Sequence, residues 1–127
     1  MLADDEPLVG DMVAFKLGAH GHQFVRARDG GEALALAVEA RPDLIILDIM
    51  MPGLDGFEVL RRLKADPALR AIPVILLSAR ARRQDLVTGL RRGALDYVVK
   101  PFSLKELATR VEGALRQRSL AAEADAN

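Results

Sequence analysis

The chain has 127 residues, enough for one domain with a core of its own and too few for two. Half of the residues are hydrophobic and 28% are charged, the balance of a globular protein, and 18 basic against 18 acidic residues give no global bias toward nucleic acid or membrane surfaces. Cysteine is absent, which excludes a disulfide framework and a thiolate metal site; with no signal-peptide pattern and no apolar run near the roughly 18 residues of a membrane helix, the expected setting is the cytoplasm.

In chain order, "MLADDEP" places only Met1, Leu2 and Ala3 before the adjacent acids Asp4 and Asp5, so a first strand is nearly missing. Leu8, Met12, Phe15 and Ala19 then follow helical spacing. Gly21 precedes a strand-like run at Gln23 to Ala27, and "DGG" at 29–31 precedes a helical set of Leu34, Ala37 and Val38. "LIIL" at Leu44 to Leu47 does not alternate with polar residues, which predicts a strand covered on both faces. Pro52 and Gly53 predict a tight turn, and Gly56 allows close passage before a helix carrying Phe57. After "ADP" at 65–67 comes a second two-sided strand, Pro73 to Leu77, and after Gly93 a third run, Tyr97 to Val99. Leu104, Leu107, Ala108, Val111 and Leu115 give the clearest helical stripe, with Ser103 as N-cap and Glu106 three residues on. The domain is expected to span 1–118, and the Ala-rich tail at 119–127 to fray.

Strands alternating with helices in this way predict right-handed crossovers and a parallel α/β sheet with helices on both faces. Ligands of such sheets collect beyond the carboxyl ends of the strands. That rule selects Asp4 and Asp5 after the first strand, Asp48 ending "LIILD", Ser78 ending "PVILLS" and Lys100 ending "DYVVK". Each has a plain alternative: an acidic helix start, a helix N-cap, or a turn. Together they make chemical sense. Clustered carboxylates repel unless a hard cation joins them, and oxygen donors of this kind suit Mg²⁺. A carboxylate beside such an ion is a fitting phosphoryl acceptor, with Lys100 and Ser78 as donors to phosphoryl oxygens.

These residues resemble the response regulator receiver domain of two-component signal transduction, the CheY-like family. The resemblance covers essentially the whole chain and is most specific in "LIILDIMMPGLDGFEVLRRLK", "PVILLSA" and "GALDYVVKPFS". It implies a flavodoxin-like, doubly wound sheet of five parallel strands in the order 2-1-3-4-5. It also implies that Asp48 is the phosphoacceptor, that Asp5 and Asp48 ligate Mg²⁺ with the backbone carbonyl of Met50, and that Asp4 acts through a bound water. Ser78 matches the switch hydroxyl, Tyr97 the switch aromatic and Lys100 the phosphoryl-binding lysine, with a cis bond before Pro101. Lys100 and Ser78 are expected to gain their partners only once a phosphoryl group arrives.

The implied function is a switch rather than an enzyme acting on a separate substrate. A histidine kinase or phosphotransfer protein donates the phosphoryl group, and the surface of helix 4, strand 5 and helix 5 is remodelled toward an output that the sequence does not name. The alternatives are a phosphorylation-independent interaction module of the same fold, and an aspartyl-phosphate hydrolase. The intact acid–serine–lysine set argues against the first. Met50, standing two beyond Asp48 where a second acid is needed, argues against the second.

"GLRRGALDYVVKPFSLKELATRV" further resembles receivers that dimerise through the helix 4–strand 5–helix 5 face. Asp96 and Arg110 match one cross-dimer ion pair, while Leu86 departs from the pattern where an Arg partner for Glu106 belongs. Direct nucleic-acid binding by this segment is not expected, since the arginines at 80, 82 and 83 lack interleaved aromatics. His20 and His22 have no third ligand nearby and are read as structural. Met50 and Arg80 occupy positions that tune phosphoryl lifetime in the family. Finally, the short first strand is expected to leave its neighbours without ladder partners over their first residues, as though the natural start lay a few residues upstream.

Overall fold

The computed structural model describes residues 1–79 and 82–126, with side chains to Leu120, so Arg80 lies outside the described residues. Strands and helices alternate throughout. They are β1 (Leu2–Ala3), α1 (Pro7–Ala19), β2 (Arg26–Ala27), α2 (Gly30–Ala40), β3 (Ile45–Asp48), α3 (Gly56–Ala65), β4 (Val74–Ser78), α4 (Arg83–Arg91), β5 (Asp96–Val99) and α5 (Leu104–Ala126). The strands form one parallel sheet in the order β2-β1-β3-β4-β5, as expected.

The two-sided strands explain themselves by their burial. Ile45, Leu47, Val74 and Leu76 join one apolar cluster with Ala33, Val59, Leu60 and Leu63, on the face covered by α2 and α3. Ile46, Ile75, Leu77 and Val98 join a second with Val13, Leu17, Leu107 and Val111, under α1 and α5. Alternate residues therefore feed opposite layers, and no position on β3 or β4 is left for water. Each such side chain stabilises the fold by about 1.5–3 kcal/mol.

β1 has two residues, yet it is paired on both sides: Leu2 with Arg26 and Ile46, Ala3 with Ala27 and Leu47. Met1 lengthens the ladder toward β3. Its amine donates to Leu44 O at 2.8 Å and its carbonyl accepts from the Ile46 N–H at 2.8 Å. The expected shortfall therefore falls on the β2 side only, where Gln23 to Val25 are not strand. A cavity of about 500 Å³ opens beside Met1, lined in part by Phe24, Val25, Leu44 and Ile46.

α1 forms where the spacing predicts it, but Leu8, Met12 and Phe15 lie on its outer side, and Gly10, Val13 and Leu17 are buried. The helix is apolar on more than one face, so periodicity located it without orienting it. α5 carries the expected cap: the Glu106 N–H donates to Ser103 Oγ at 3.2 Å. It runs on to Ala126, past the end expected for the domain. α4 has no side-chain N-cap, and its buried residues are Asp85 and Gly89.

Candidate functional site

Asp4 follows β1, Asp48 ends β3, Ser78 ends β4 and Lys100 follows β5, so the sheet delivers all four to one rim. The loop after β3 is folded back tightly. The Gly56 N–H donates to Ile49 O at 2.8 Å, and a Cβ on Gly56 would stand 2.5 Å from the Asp48 carbonyl oxygen. Only glycine fits there. The same fold-back lets the Met50 N–H donate to Asp48 Oδ1 at 3.0 Å, which fixes the carboxylate and leaves Oδ2 facing the rim.

Lys100 stands at the centre of an acidic trio. Its Nζ lies 2.8 Å from Glu6 Oε1, 3.0 Å from Asp4 Oδ2 and 3.1 Å from Asp48 Oδ2. Its backbone N–H donates to Ser78 O at 2.8 Å, tying the lysine to the end of β4. Asp4 is held by its other oxygen, Oδ1, which accepts from the Glu6 N–H at 2.8 Å. Burial is the largest influence on the Asp48 carboxyl and raises its pKa above the ordinary 3.8, with Asp4 adding to the effect; the Met50 N–H and Lys100 pull the other way. Burial alone would lower the Lys100 ammonium, but Glu6, Asp4 and Asp48 outweigh it and raise its pKa above the ordinary 10.5.

Donor oxygens of Asp4, Glu6 and Asp48 all lie within 4.8 Å of one another. Asp4 Oδ2 is fully buried and, although its ion-pair distance to Lys100 is short, it has no hydrogen bond among the described residues. Three carboxylates against one ammonium leave two negative charges. A buried acceptor without a hydrogen bond, hard oxygen donors and this charge all fit a divalent cation such as Mg²⁺.

The expected residues are not all placed alike. Asp4, Asp48, Ser78 and Tyr97 are buried, and Lys100 is half-buried among its acids. Asp5 is exposed and outside the cluster of donor oxygens, and Glu6 joins that cluster instead. The sequence reading passed over Glu6. Its signal was available: it lies two residues after Asp4 and just before Pro7, so the chain turns there and sends its carboxylate back over the rim. Met50 contributes its N–H to Asp48, and its side chain is exposed. One expectation needs correcting. Lys100 does not wait for a phosphoryl group to gain partners, because three carboxylates already surround it; Ser78 is likewise engaged.

Elsewhere, Arg110 Nη1 pairs with Asp96 at 2.6 Å within the same chain and Arg110 Nη2 with Glu106 at 2.9 Å, while Leu86 packs against the core. His22 Nε2 lies 2.5 Å from Glu112 Oε1, and neither histidine joins a metal-ligating cluster among the described residues. The Lys100–Pro101 bond is cis.

The fold and this rim define a class. Residues 1–112 match the response regulator receiver domain family, and the chain belongs to it. Among individual proteins, it is similar to the DNA-binding dual master transcriptional regulator RpaA of Synechocystis, 42% identical over 92% of this chain and 48% of that protein. It is also similar to the phosphate regulon transcriptional regulatory protein PhoB of Escherichia coli, 42% identical over 94% of this chain and 52% of that protein. The chain thus spans about half the length of these relatives. The structure of the receiver domain of the Francisella response regulator 1452 superimposes with a TM-score of 0.85 at 36% identity, covering 91% of this chain and 94% of that one.

Proposed function

We propose that this receiver domain takes a phosphoryl group onto Asp48 from a histidine kinase or phosphotransfer protein and so switches a partner-binding surface. The observation that carries the reading is the Asp48 carboxylate, fixed through Oδ1 by the Met50 N–H and presenting Oδ2 beside Lys100 Nζ at 3.1 Å. Asp48 supplies the nucleophilic oxygen: a P–O bond to it forms as the P–N bond of the donor phosphohistidine breaks. Lys100 supplies an ammonium for the phosphoryl oxygens, and Ser78, on the neighbouring strand end, a hydroxyl. Asp48, with Asp5 or Glu6 and the Met50 carbonyl, and Asp4 through a bound water, would hold Mg²⁺, which when bound would supply positive charge for the incoming group.

The domain acts as a switch in the cytoplasm, not as an enzyme with a separate substrate. Its output belongs to a partner or to a further domain, and the face formed by α4, β5 and α5 is the surface that changes, homodimerisation through it included. Relatives that span about twice this length are transcriptional regulators, which supports an output in gene control. Incubation with acetyl phosphate and Mg²⁺, read by intact mass, tests the reading. A single phosphoryl adduct that disappears in Asp48→Asn is expected, and equal uptake by both proteins would overturn it.

A further inference from the structure

α4 is docked in an unusual way for an amphipathic helix. The residues it buries are Asp85 and Gly89, while Val87 and Leu90 are exposed, with Leu95 beyond the helix also exposed. Gly89 lies over two residues paired across the sheet, Leu76 on β4 and Tyr97 on β5. A Cβ there would stand 2.5 Å from Leu76 Cδ1, 3.5 Å from Tyr97 Cδ2 and 3.6 Å from Phe57 Cε1. Leu76 is fully buried, so its methyl can give way only by repacking among its core neighbours.

Helix propensity opposes glycine at this place, since alanine is the better helix former and glycine one of the poorest. What favours it is clearance. Gly113 on α5 has nothing within 4 Å of its added Cβ, so the same change there meets no obstacle. The strand faces extend the connection to the rim. Ser78 lies two residues after Leu76 and so on the same face of β4, and it pairs with Val99 as Leu76 pairs with Tyr97.

We propose that Gly89 is a positioning residue of the switch. Its missing side chain lets α4 settle on the Leu76–Tyr97 pair, so the Tyr97 ring and the exposed Val87, Leu90 and Leu95 surface hold their places together. An added carbon lifts α4, loosens Tyr97 and resets that surface without any phosphoryl group. The link from Ser78 to this assembly rests on the phosphoacceptor reading; the clearance at Gly89 does not.

Tyr97 is the one tyrosine of the chain and tryptophan is absent, so intrinsic tyrosine emission reports this ring alone. Acrylamide quenching is measured on unphosphorylated wild type, Gly89→Ala, Gly113→Ala and the double variant Gly89→Ala/Leu76→Val, whose valine lacks the obstructing Cδ1. Quenching should rise in Gly89→Ala toward that of free tyrosine, stay at the wild-type level in Gly113→Ala, and return to that level in the double variant. Unchanged quenching in Gly89→Ala, or no rescue by Leu76→Val, overturns the proposal. Should circular dichroism show Gly89→Ala unfolded, the double variant decides: it must fold and quench as wild type. A second arm adds acetyl phosphate and Mg²⁺. The emission of wild type should change on phosphorylation and that of Gly89→Ala should change less; equal responses overturn the coupling. A wild type that takes up no phosphoryl group sinks the phosphoacceptor reading, and the quenching comparison still decides the role of Gly89.

Discussion

Asp48 Oδ2 and Lys100 Nζ face each other at 3.1 Å across the ends of β3 and β5, and the two groups are driven in opposite senses by their surroundings. Burial works against the charge of the carboxylate, while the surrounding acids hold the ammonium charged. The contact favours the charge on both groups, but at Asp48 burial outweighs it whereas at Lys100 the surrounding acids outweigh burial, which makes substitutions at its two ends unequal.

Asp48→Asn should abolish phosphoryl uptake and raise the melting temperature at pH 7. The amide keeps the acceptor for the Met50 N–H and removes a buried charge next to Asp4. Because the folded pKa of Asp48 lies above 3.8, ionising it costs the folded state. Below pH 3.8 the carboxyl is protonated in both folded and unfolded chains, and the advantage of the variant is least. The advantage grows as pH rises through the raised folded value and is constant above it. Thermal melts of both proteins across that range check the sign.

Lys100→Ala should destabilise the protein by about 3 kcal/mol, because it leaves buried carboxylates without their counter-cation. Lys100 has a raised folded pKa, so its contribution is whole below pH 10.5 and is lost only as pH rises through the higher folded value. Combined with Asp48→Asn, the loss should be smaller than the sum, since the two side chains touch. Urea unfolding with and without Mg²⁺ tests this, and added Mg²⁺ should recover part of the stability of the single variant. A Lys100→Ala protein as stable as wild type would contradict the central position given to the lysine.

Mg²⁺ should stabilise the unphosphorylated protein by about 2.7 kcal/mol at a hundredfold excess over its Kd. The loss of that gain should be larger in Asp5→Ala than in Glu6→Gln. Asp5 is exposed and has no ion pair among the described residues, so it can turn to a cation with nothing to break, whereas Glu6 must first leave Lys100. Metal-induced melting shifts in the two variants decide between these acids; a shift lost in Glu6→Gln alone would assign the ligand to Glu6.

Two glycines should respond unequally to alanine. At Gly56 the new carbon meets backbone, the Asp48 carbonyl and Ile49 Cα, both at 2.5 Å. Backbone cannot swing aside, so a loss of about 3 kcal/mol is expected, the upper end for overpacking. At Gly10 it meets the guanidinium of Arg26, whose Nη2 would be 2.0 Å away. That side chain can move at the cost of two exposed contacts, the ion pair to Asp11 and the Nη2 bond to Pro7 O, together worth about 1 kcal/mol, and the helix gains about as much from alanine. Gly10→Ala should leave the urea midpoint nearly unchanged.

The two-sided strands β3 and β4 were legible because a strand buried on both faces has no room for polar residues, so Leu44 to Leu47 and Pro73 to Leu77 could hardly be anything else. The run at Gln23 to Ala27 was read three residues too long. It has strand composition, but pairing needs a partner, and β1 pairs in register only with Arg26 and Ala27, adding one bond from the Leu2 N–H to Val25 O at 2.9 Å. The rim acids and lysine were legible through their place after each strand. Their mutual contacts were not, since which of Asp5 and Glu6 turns toward Lys100 depends on side-chain rotamers and on the turn at Pro7. Leu8, Met12 and Phe15 mark a helix by their spacing, yet Phe15 is 82% exposed, because spacing carries no information about which apolar face the neighbouring layer covers.

The two-residue β1 also divides the sheet into parts of unequal durability. On one side, β3, β4 and β5 are joined by four register pairs at each seam; on the other, β2 is joined to the rest through the two pairs it shares with β1. Amide hydrogen exchange should resolve these as separate cooperative units. The protons of β3 and β4 should exchange only by global opening, and those of β2 and α2 by a lower-energy opening that leaves β3, β4 and β5 intact. Asp4 stands on the seam between the two units, so any ligand that grips Asp4 and Asp48 together should slow exchange in β2, a strand that supplies none of the rim's acids.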